Sequence, residues 1–339
     1  MKRWHVFACL LGLAVGWLPA PASAQMLING AGATFPYPLY SKWFEEFIKV
    51  DPEVRFNYQS IGSGGGIRQV LAGTVDFGAS DGPMSDEQLA QAKVKILHIP
   101  TVLGAVVPAY NVPGVSTALN FSPEVIADIC LGKISNWNDK AIAKDNPGVT
   151  LPDRPVIVVH RSDGSGTNYI FTDYLSKVSP EWQSRVGKGT SVKWPVGLGA
   201  KGNEGVAGMI RQMEGAFGYV ELIYAIQNNI PYGSVRNSAG KWLKGSLEGA
   251  TAAAASVKNM PADFRVSITN ATGKDAYPIS SFTWLLIPTQ SKDAAKGKIL
   301  VGFLNWMLDE GEKETTTLHY APLPENVAAK VKEAIKQVH

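Results

Sequence analysis

Cysteine is scarce in this chain, with only Cys9 and Cys130 among 339 residues, so a disulfide-stapled scaffold is excluded. Histidine is also sparse, at 5, and no His, Asp or Cys spacing resembles a metal cluster. Charge of one sign is missing too: 32 Lys+Arg stand against 29 Asp+Glu, scattered in ones and twos, without the basic run that a nucleic-acid footprint needs. There is no low-complexity tract and no repeat at a fixed period. What is present is an ordinary globular balance: 45% apolar residues with 34 Gly and 21 Pro exclude disorder, collagen and coiled coil. The length admits roughly two domains, each able to bury a core without disulfide or metal support.

The one long apolar run lies at the N-terminus. Lys2 and Arg3 precede Val6 to Leu18, and Ala22-Ser23-Ala24 has the small-x-small form of a signal-peptidase site. The run is too short for a membrane anchor, which needs about 20 residues. Residues 1–24 therefore read as a cleaved leader. Cys9 sits inside the apolar run, away from the cleavage point, so it does not read as a lipoprotein cysteine. Removing Lys2 and Arg3 leaves 30 − 29 = +1 and Cys130 alone, which rules out a disulfide in the mature chain.

Beyond the leader, strand and helix patterns alternate. Tyr40, Trp43, Phe44, Phe47 and Ile48 share one helical face, and Val54, Phe56 and Tyr58 alternate as a strand does. A strand follows around Val75 to Ala79, then a helix opened by the capping box Ser85-Asp86-Glu87-Gln88, then a strand run from Val102 to Tyr110. Ser122-Pro123 and Gly132 bracket another helix, Val156 to His160 reads as a strand, and helices are expected beyond Thr167, from about Ser291 and from about Pro324. The alternation predicts an α/β fold with largely parallel sheets.

In such folds ligands bind where a strand ends and a helix begins, because the helix start exposes free backbone N–H groups. Three loops qualify: Gly30-Ala31-Gly32-Ala33-Thr34-Phe35-Pro36, Gly62-Ser63-Gly64-Gly65-Gly66 before a helix starting near Ile67, and Arg161-Ser162-Asp163-Gly164-Ser165-Gly166-Thr167. Each glycine-rich stretch taken singly is equally a turn needing positive φ. The third is more specific, with a cation, an acid and hydroxyls at one helix entrance. Together they describe a pocket that neutralises a small tetrahedral oxyanion with dipoles and hydrogen bonds plus one guanidinium. Asp81, which follows the Val75 to Ala79 strand where a ligand loop should begin, runs against a simple anion sink. An ionised carboxylate only accepts, so it fits an oxyanion that still carries a proton, as phosphate does near neutral pH and sulfate does not. The alternative for Asp81 is a turn or capping aspartate.

The strings GAGATFPYPLY, YQSIGSGGGIRQVLAGTVDFGASD, LGKISNWNDKAI, RSDGSGT, KWPVGLGAKGNEGVA and GAFGYVE run in order along the mature chain. In them the chain resembles the periplasmic phosphate-binding proteins of the bacterial phosphate ABC importer. The resemblance implies a two-lobed, type II periplasmic-binding-protein-like α/β fold with phosphate in a hinged cleft. It places the first lobe at 25–101 and 277–339 and the second at 102–276. It also implies binding without catalysis, no cofactor, and a monomer in the periplasm that delivers phosphate to membrane permease subunits and, indirectly, their ATPase. Carried over by position, the ligand residues are Thr34, Phe35, Ser63, Asp81, Arg161, Ser165, Gly166 and Thr167, with Asp163 orienting Arg161 or else capping the next helix. His160 stands where relatives often carry another basic residue, and at the end of an apolar strand it reads as structural.

Other functions compete for the same residues. Gly78-Ala79-Ser80-Asp81-Gly82 matches a G-x-S-x-G nucleophile elbow, with His319 the only histidine in hydrolase order. A phosphatase would need a metal cluster or an activated nucleophile, and Cys130 in its apolar pattern reads as packing. A sulfate or molybdate binder is the nearer rival, and Asp81 argues against it. The mature tryptophans, among them Trp43, Trp137, Trp194 and Trp306, read as core packing.

Overall fold

The first half of the sheet is built by alternation. In a computed structural model that describes residues 25–339, β1 (Met26–Gly32) lies between and parallel to β2 (Val54–Ser60) and β3 (Phe77–Ser80). The expected leader, 1–24, with Cys9, falls outside the described residues. α1 (Tyr37–Val50) joins β1 to β2 and buries Leu39, Tyr40, Trp43, Phe44 and Phe47, the spacing of one helical face. That face packs on aromatic strand residues, Phe44 stacking on Phe56 with ring centroids 4.5 Å apart.

α2 (Ser63–Ala72) joins β2 to β3, and here the structure corrects the sequence reading. The helix starts at Ser63 and not near Ile67, so the three glycines form its first turn. Their poor helix propensity is overridden by packing: a Cβ at Gly66 would lie 2.6 Å from the Ala31 carbonyl and 2.7 Å from that of Ala79. Only a bare backbone lets the helix lie this close to β1 and β3.

After α3 (Asp86–Leu89), opened by the predicted capping box, comes β4 (Ile96–Asn111), longer than expected and buried at every residue but its last. Its Ile96 to Ala105 portion pairs antiparallel with β11 (Ser280–Pro288), and Val106 to Asn111 pairs antiparallel with β8 (Ala216–Glu221). Near Thr101 the register slips between Thr283 and Trp284. Beyond β8 stand β6 (Ile157–Arg161) and β7 (Leu198–Ala200), giving the order β2-β1-β3-β11-β4-β8-β6-β7. The outer pairs are parallel and the three central ones antiparallel, so the sheet is more mixed than alternation predicts. β4 follows β3 through one short helix and β11 returns from far along the chain, and antiparallel neighbours need no crossover helix.

β5 (Asn120–Phe121), β9 (Ser234–Arg236) and β10 (Trp242–Lys244) make a second, small sheet. α4 (Pro123–Cys130), α5 (Lys140–Asp145), α6 (Gly166–Val178), α7 (Pro180–Arg185), α8 (Gly202–Gln212), α9 (Leu222–Gln227) and α10 (Leu247–Ala255) pack around the β8 half. α11 (Ala294–Asp309) and α12 (Glu325–Ile335) return the C-terminus to the β1 half, where Phe303 of α11 packs 4.9 Å from Phe56. Cys130, Trp43 and Trp137 are buried in the core, Trp194 and Trp306 partly so. No helix among the described residues is long and apolar enough to cross a membrane.

Candidate functional site

Every residue singled out as a ligand lies at the carboxyl end of a strand. Thr34 and Phe35 follow β1, Ser63 opens α2 after β2, Asp81 follows β3, Arg161 ends β6, and Ser165, Gly166 and Thr167 open α6. All are buried. The loops meet across the middle of the molecule. The N–H of Gly64 donates to the carbonyl of Gly164 at 2.8 Å, and a Cβ on Gly166 would stand 2.4 Å from both Asp81 Oδ2 and Ser63 Oγ. Gly166 is thus a close-approach glycine, its N–H at a helix start with no intrahelical acceptor.

Arg161 is nearly inaccessible and its charge is largely answered locally. Nε donates to Asp163 Oδ1 at 2.8 Å and Nη2 to Asp163 Oδ2 at 2.6 Å, a bidentate pair, while Nη1 is buried with no hydrogen-bond partner. A guanidinium proton without an acceptor in such a place is costly unless an anion takes it. Burial pushes the Asp163 carboxyl up, but the Arg161 hydrogen bonds and field outweigh it and hold the group below its usual range. Asp163 also accepts from the Gly202 N–H at 3.2 Å. The capping role considered for it falls to Ser165, whose Oγ accepts from the Asn168 N–H at 3.0 Å.

Asp81 is the acidic member. Its Oδ1 accepts from the Thr283 hydroxyl at 2.8 Å, its Oδ2 lies 3.4 Å from Ser63 Oγ, and its own N–H donates to Ser63 Oγ at 3.2 Å. Burial pushes its pKa up to about 7, against the lowering effects of Thr283, Arg161 and Ser63. The sequence reading treated Asp81 simply as ionised near neutral pH. Its burial makes it an acceptor above about pH 7 and a donor below.

Several site residues were not identified from the sequence. Asn203, fully buried in α8, donates from Nδ2 to Thr34 Oγ1 at 2.8 Å and to Thr167 Oγ1 at 3.0 Å. Tyr224 Oη donates to the Thr34 carbonyl at 2.5 Å and Tyr320 Oη to the Phe35 carbonyl at 2.6 Å. Glu221 lies behind them, its Oε1 buried without a partner and its pKa raised well above the ordinary value by burial. Asn203 and Glu221 fell within the resemblance strings, and Asn203 stands at a fourth glycine-rich strand-to-helix entrance, between β7 and α8, that was not among the three loops selected; Thr283, Tyr224 and Tyr320 carry no such local signal.

Residues set aside behave accordingly. His160 stacks on Trp194 with ring centroids 4.8 Å apart and an interplanar angle of 3°, and burial lowers its pKa. The Ser80 hydroxyl of the G-x-S-x-G string donates to the Gly82 carbonyl, within its own turn. Burial pushes the Cys130 thiol far up. Among the described residues, no group of three or more His, Cys, Asp or Glu could hold a metal ion.

The profile of the PBP superfamily domain matches residues 19–310. Over 314 residues the chain is 47% identical to the phosphate-binding protein PstS of Xylella fastidiosa, spanning 92% of this chain and 85% of that one. Over 338 residues it is 44% identical to PstS of Haemophilus influenzae, spanning 99% and 98%. A phosphate-binding protein from Stenotrophomonas maltophilia has a solved structure that superposes with a TM-score of 0.71 at 19% identity, covering 91% of this chain and 94% of that one. A high affinity periplasmic phosphate-binding protein solved with bound phosphate gives 0.72 at 22% identity, covering 91% and 93%. At those identities the two structures speak for the fold.

Proposed function

We propose, from the premise that this chain belongs to the PstS family of phosphate-binding proteins within the PBP superfamily, that it binds inorganic phosphate and hands it to the permease of a phosphate ABC importer. The observation that carries the reading is the convergence of three loop–helix entrances on one buried carboxyl and one buried, partly unpartnered guanidinium. Thr34, Ser63, Ser165 and Thr167 supply hydroxyls, Phe35, Gly166 and Thr167 supply backbone N–H groups, Arg161 supplies Nη1, and Asp81 takes the ligand's proton. Because Asp163 already answers the Arg161 charge, the anion is held mostly by dipoles and hydrogen bonds.

The same reading makes the protein a binder and not an enzyme, working in the periplasm after a leader over 1–24 is removed, with the importer's ATPase reached only through the permease. It divides the chain into lobes of 25–101 with 277–339 and of 102–276. The change of partner along β4, from β11 to β8 at Ala105 and Val106, supports that division. Calorimetry of the phosphate-stripped mature chain tests the proposal. One-to-one phosphate binding without sulfate heat at about pH 8 and without hydrolysis of a phosphate ester is expected, and Arg161→Ala weakens it by roughly 10- to 100-fold with helix content kept. Ester turnover, or Arg161→Ala binding as tightly as the wild type, overturns it.

A further inference from the structure

Asn203 occupies the first turn of α8 and touches residues from both sides of the cleft. Its amide has one orientation. Oδ1 accepts the Glu221 N–H at 3.0 Å, and a backbone N–H can only donate, so the oxygen must face Glu221 and the NH₂ must face the threonines. The two NH₂ hydrogens are then both spent, one on Thr34 Oγ1 and one on Thr167 Oγ1. Thr34 Oγ1 also receives the Asn203 backbone N–H at 3.3 Å. A hydroxyl has two lone pairs and one proton. With both lone pairs occupied, Thr34 has only its proton left to offer, and Thr167 has one acceptor position taken the same way.

We infer that Asn203 is a positioning residue that sets the Thr34 hydroxyl as a donor toward the ligand, holds the Thr167 hydroxyl by one of its acceptor positions and, by bonding both, clasps the Thr34 loop to the start of α6. The inference rests on the reading of these threonines as phosphate ligands. Its chemical content is orientational. The ligand oxygen opposite Thr34 must be an unprotonated acceptor, so the ligand's proton is directed away from it and toward Asp81, whose carboxyl lies beside Ser63 after β3. Tyr224, which donates to the Thr34 carbonyl, keeps the same loop from rotating away.

A double-mutant cycle read by phosphate calorimetry separates this role from simple packing. The proteins are the wild type, Asn203→Ala, the Thr34→Val/Thr167→Val pair, and all three substitutions together, with Ser165→Ala and its combination with Asn203→Ala as the control. Asn203→Ala is expected to weaken phosphate by about 10-fold or more, since two oriented hydroxyl bonds lose their direction. In the Thr34→Val/Thr167→Val background the same change is expected to cost less than about 3-fold, whereas with Ser165→Ala its full effect persists because Ser165 has no bond to Asn203. An Asn203→Ala loss that stays the same in every background marks packing alone and overturns the inference, as does an Asn203→Ala affinity within 2-fold of the wild type. Should Asn203→Ala not fold, Asn203→Asp keeps the shape but turns the amide donors into acceptors, and wild-type affinity in that variant likewise overturns the inference. A wild-type chain that fails to bind phosphate at all overturns instead the functional reading on which it rests.

Discussion

Arg161 brings a positive charge into the site that Asp163 has already answered in bidentate geometry, so in the proposed phosphate site Asp81 becomes the residue whose protonation decides which anion fits. Because burial raises Asp81 above the unfolded value of 3.8 to about 7, its protonated form is the one favoured in the folded, ligand-free protein. That contribution to stability is full below about pH 4 and is lost as pH rises toward 7. Asp81→Asn cannot ionise, so the melting-temperature advantage of the ligand-free variant over the wild type should widen from about pH 5 to about pH 8. A gap that is flat or narrows contradicts the buried-acid account. In the proposed site the same titration governs selectivity. Sulfate offers no proton, so it should compete with phosphate at about pH 5.5, where Asp81 donates, and lose about tenfold in affinity per pH unit above 7. In Asp81→Asn the amide can donate at any pH, and sulfate binding should persist at about pH 8. Sulfate affinity independent of pH in the wild type would remove Asp81 as the discriminating group.

At the scale of elements, glycines in helices divide by what surrounds them. Gly66 in α2 has no room for a methyl group between the carbonyls of Ala31 and Ala79, whereas Gly208 in α8 has nothing within 4 Å of where a Cβ would stand. Gly66→Ala should therefore lower the melting temperature even though alanine is the better helix former, and Gly208→Ala should raise stability by roughly 0.5–1 kcal/mol. Equal effects of the two, read by thermal melts, would mean that propensity and not packing sets the first turn of α2. The contrast also explains which elements were legible. α1 and β2 follow from one amphipathic period each, because each shows one face to the core. The start of α2 did not follow, because the reason for its glycines lies on two strands that flank it in space. β4, buried on both faces, carries no alternation from which to read its ends.

For the whole molecule, the contact that brings the Gly64 and Gly164 loops together is between bare backbones: Gly64 N–H to the Gly164 carbonyl, with a Cβ on Gly164 only 3.0 Å from the Gly64 Cα. In the proposed two-lobed reading this is a closure contact, and a ligand bridging the lobes shifts the molecule toward the closed form only by binding it better. Gly164→Val should keep the lobes from meeting. Phosphate affinity is expected to fall by more than about tenfold while the melting temperature of the ligand-free protein barely changes, and the compaction on adding phosphate seen by small-angle scattering should disappear. Full compaction and unchanged affinity in Gly164→Val would place closure elsewhere.

The sequence by itself determined the α/β class, the strand–loop–helix units and the three loop–helix entrances proposed to hold the anion, because each is a local matter of periodicity, capping and free N–H groups within a few positions. It also marked Asp81 as the residue out of keeping with a plain anion sink. Only the tertiary structure decided what surrounds those residues. Thr283 reaches Asp81 across 202 positions, Asn203 reaches Thr34 across 169, and Tyr320 reaches the Phe35 carbonyl across 285. Hydrogen-bond direction and the burial that moves the Asp81 pKa to about 7 are properties of that assembled shell, set by groups brought together only when β4 and β11 join the two halves of the sheet.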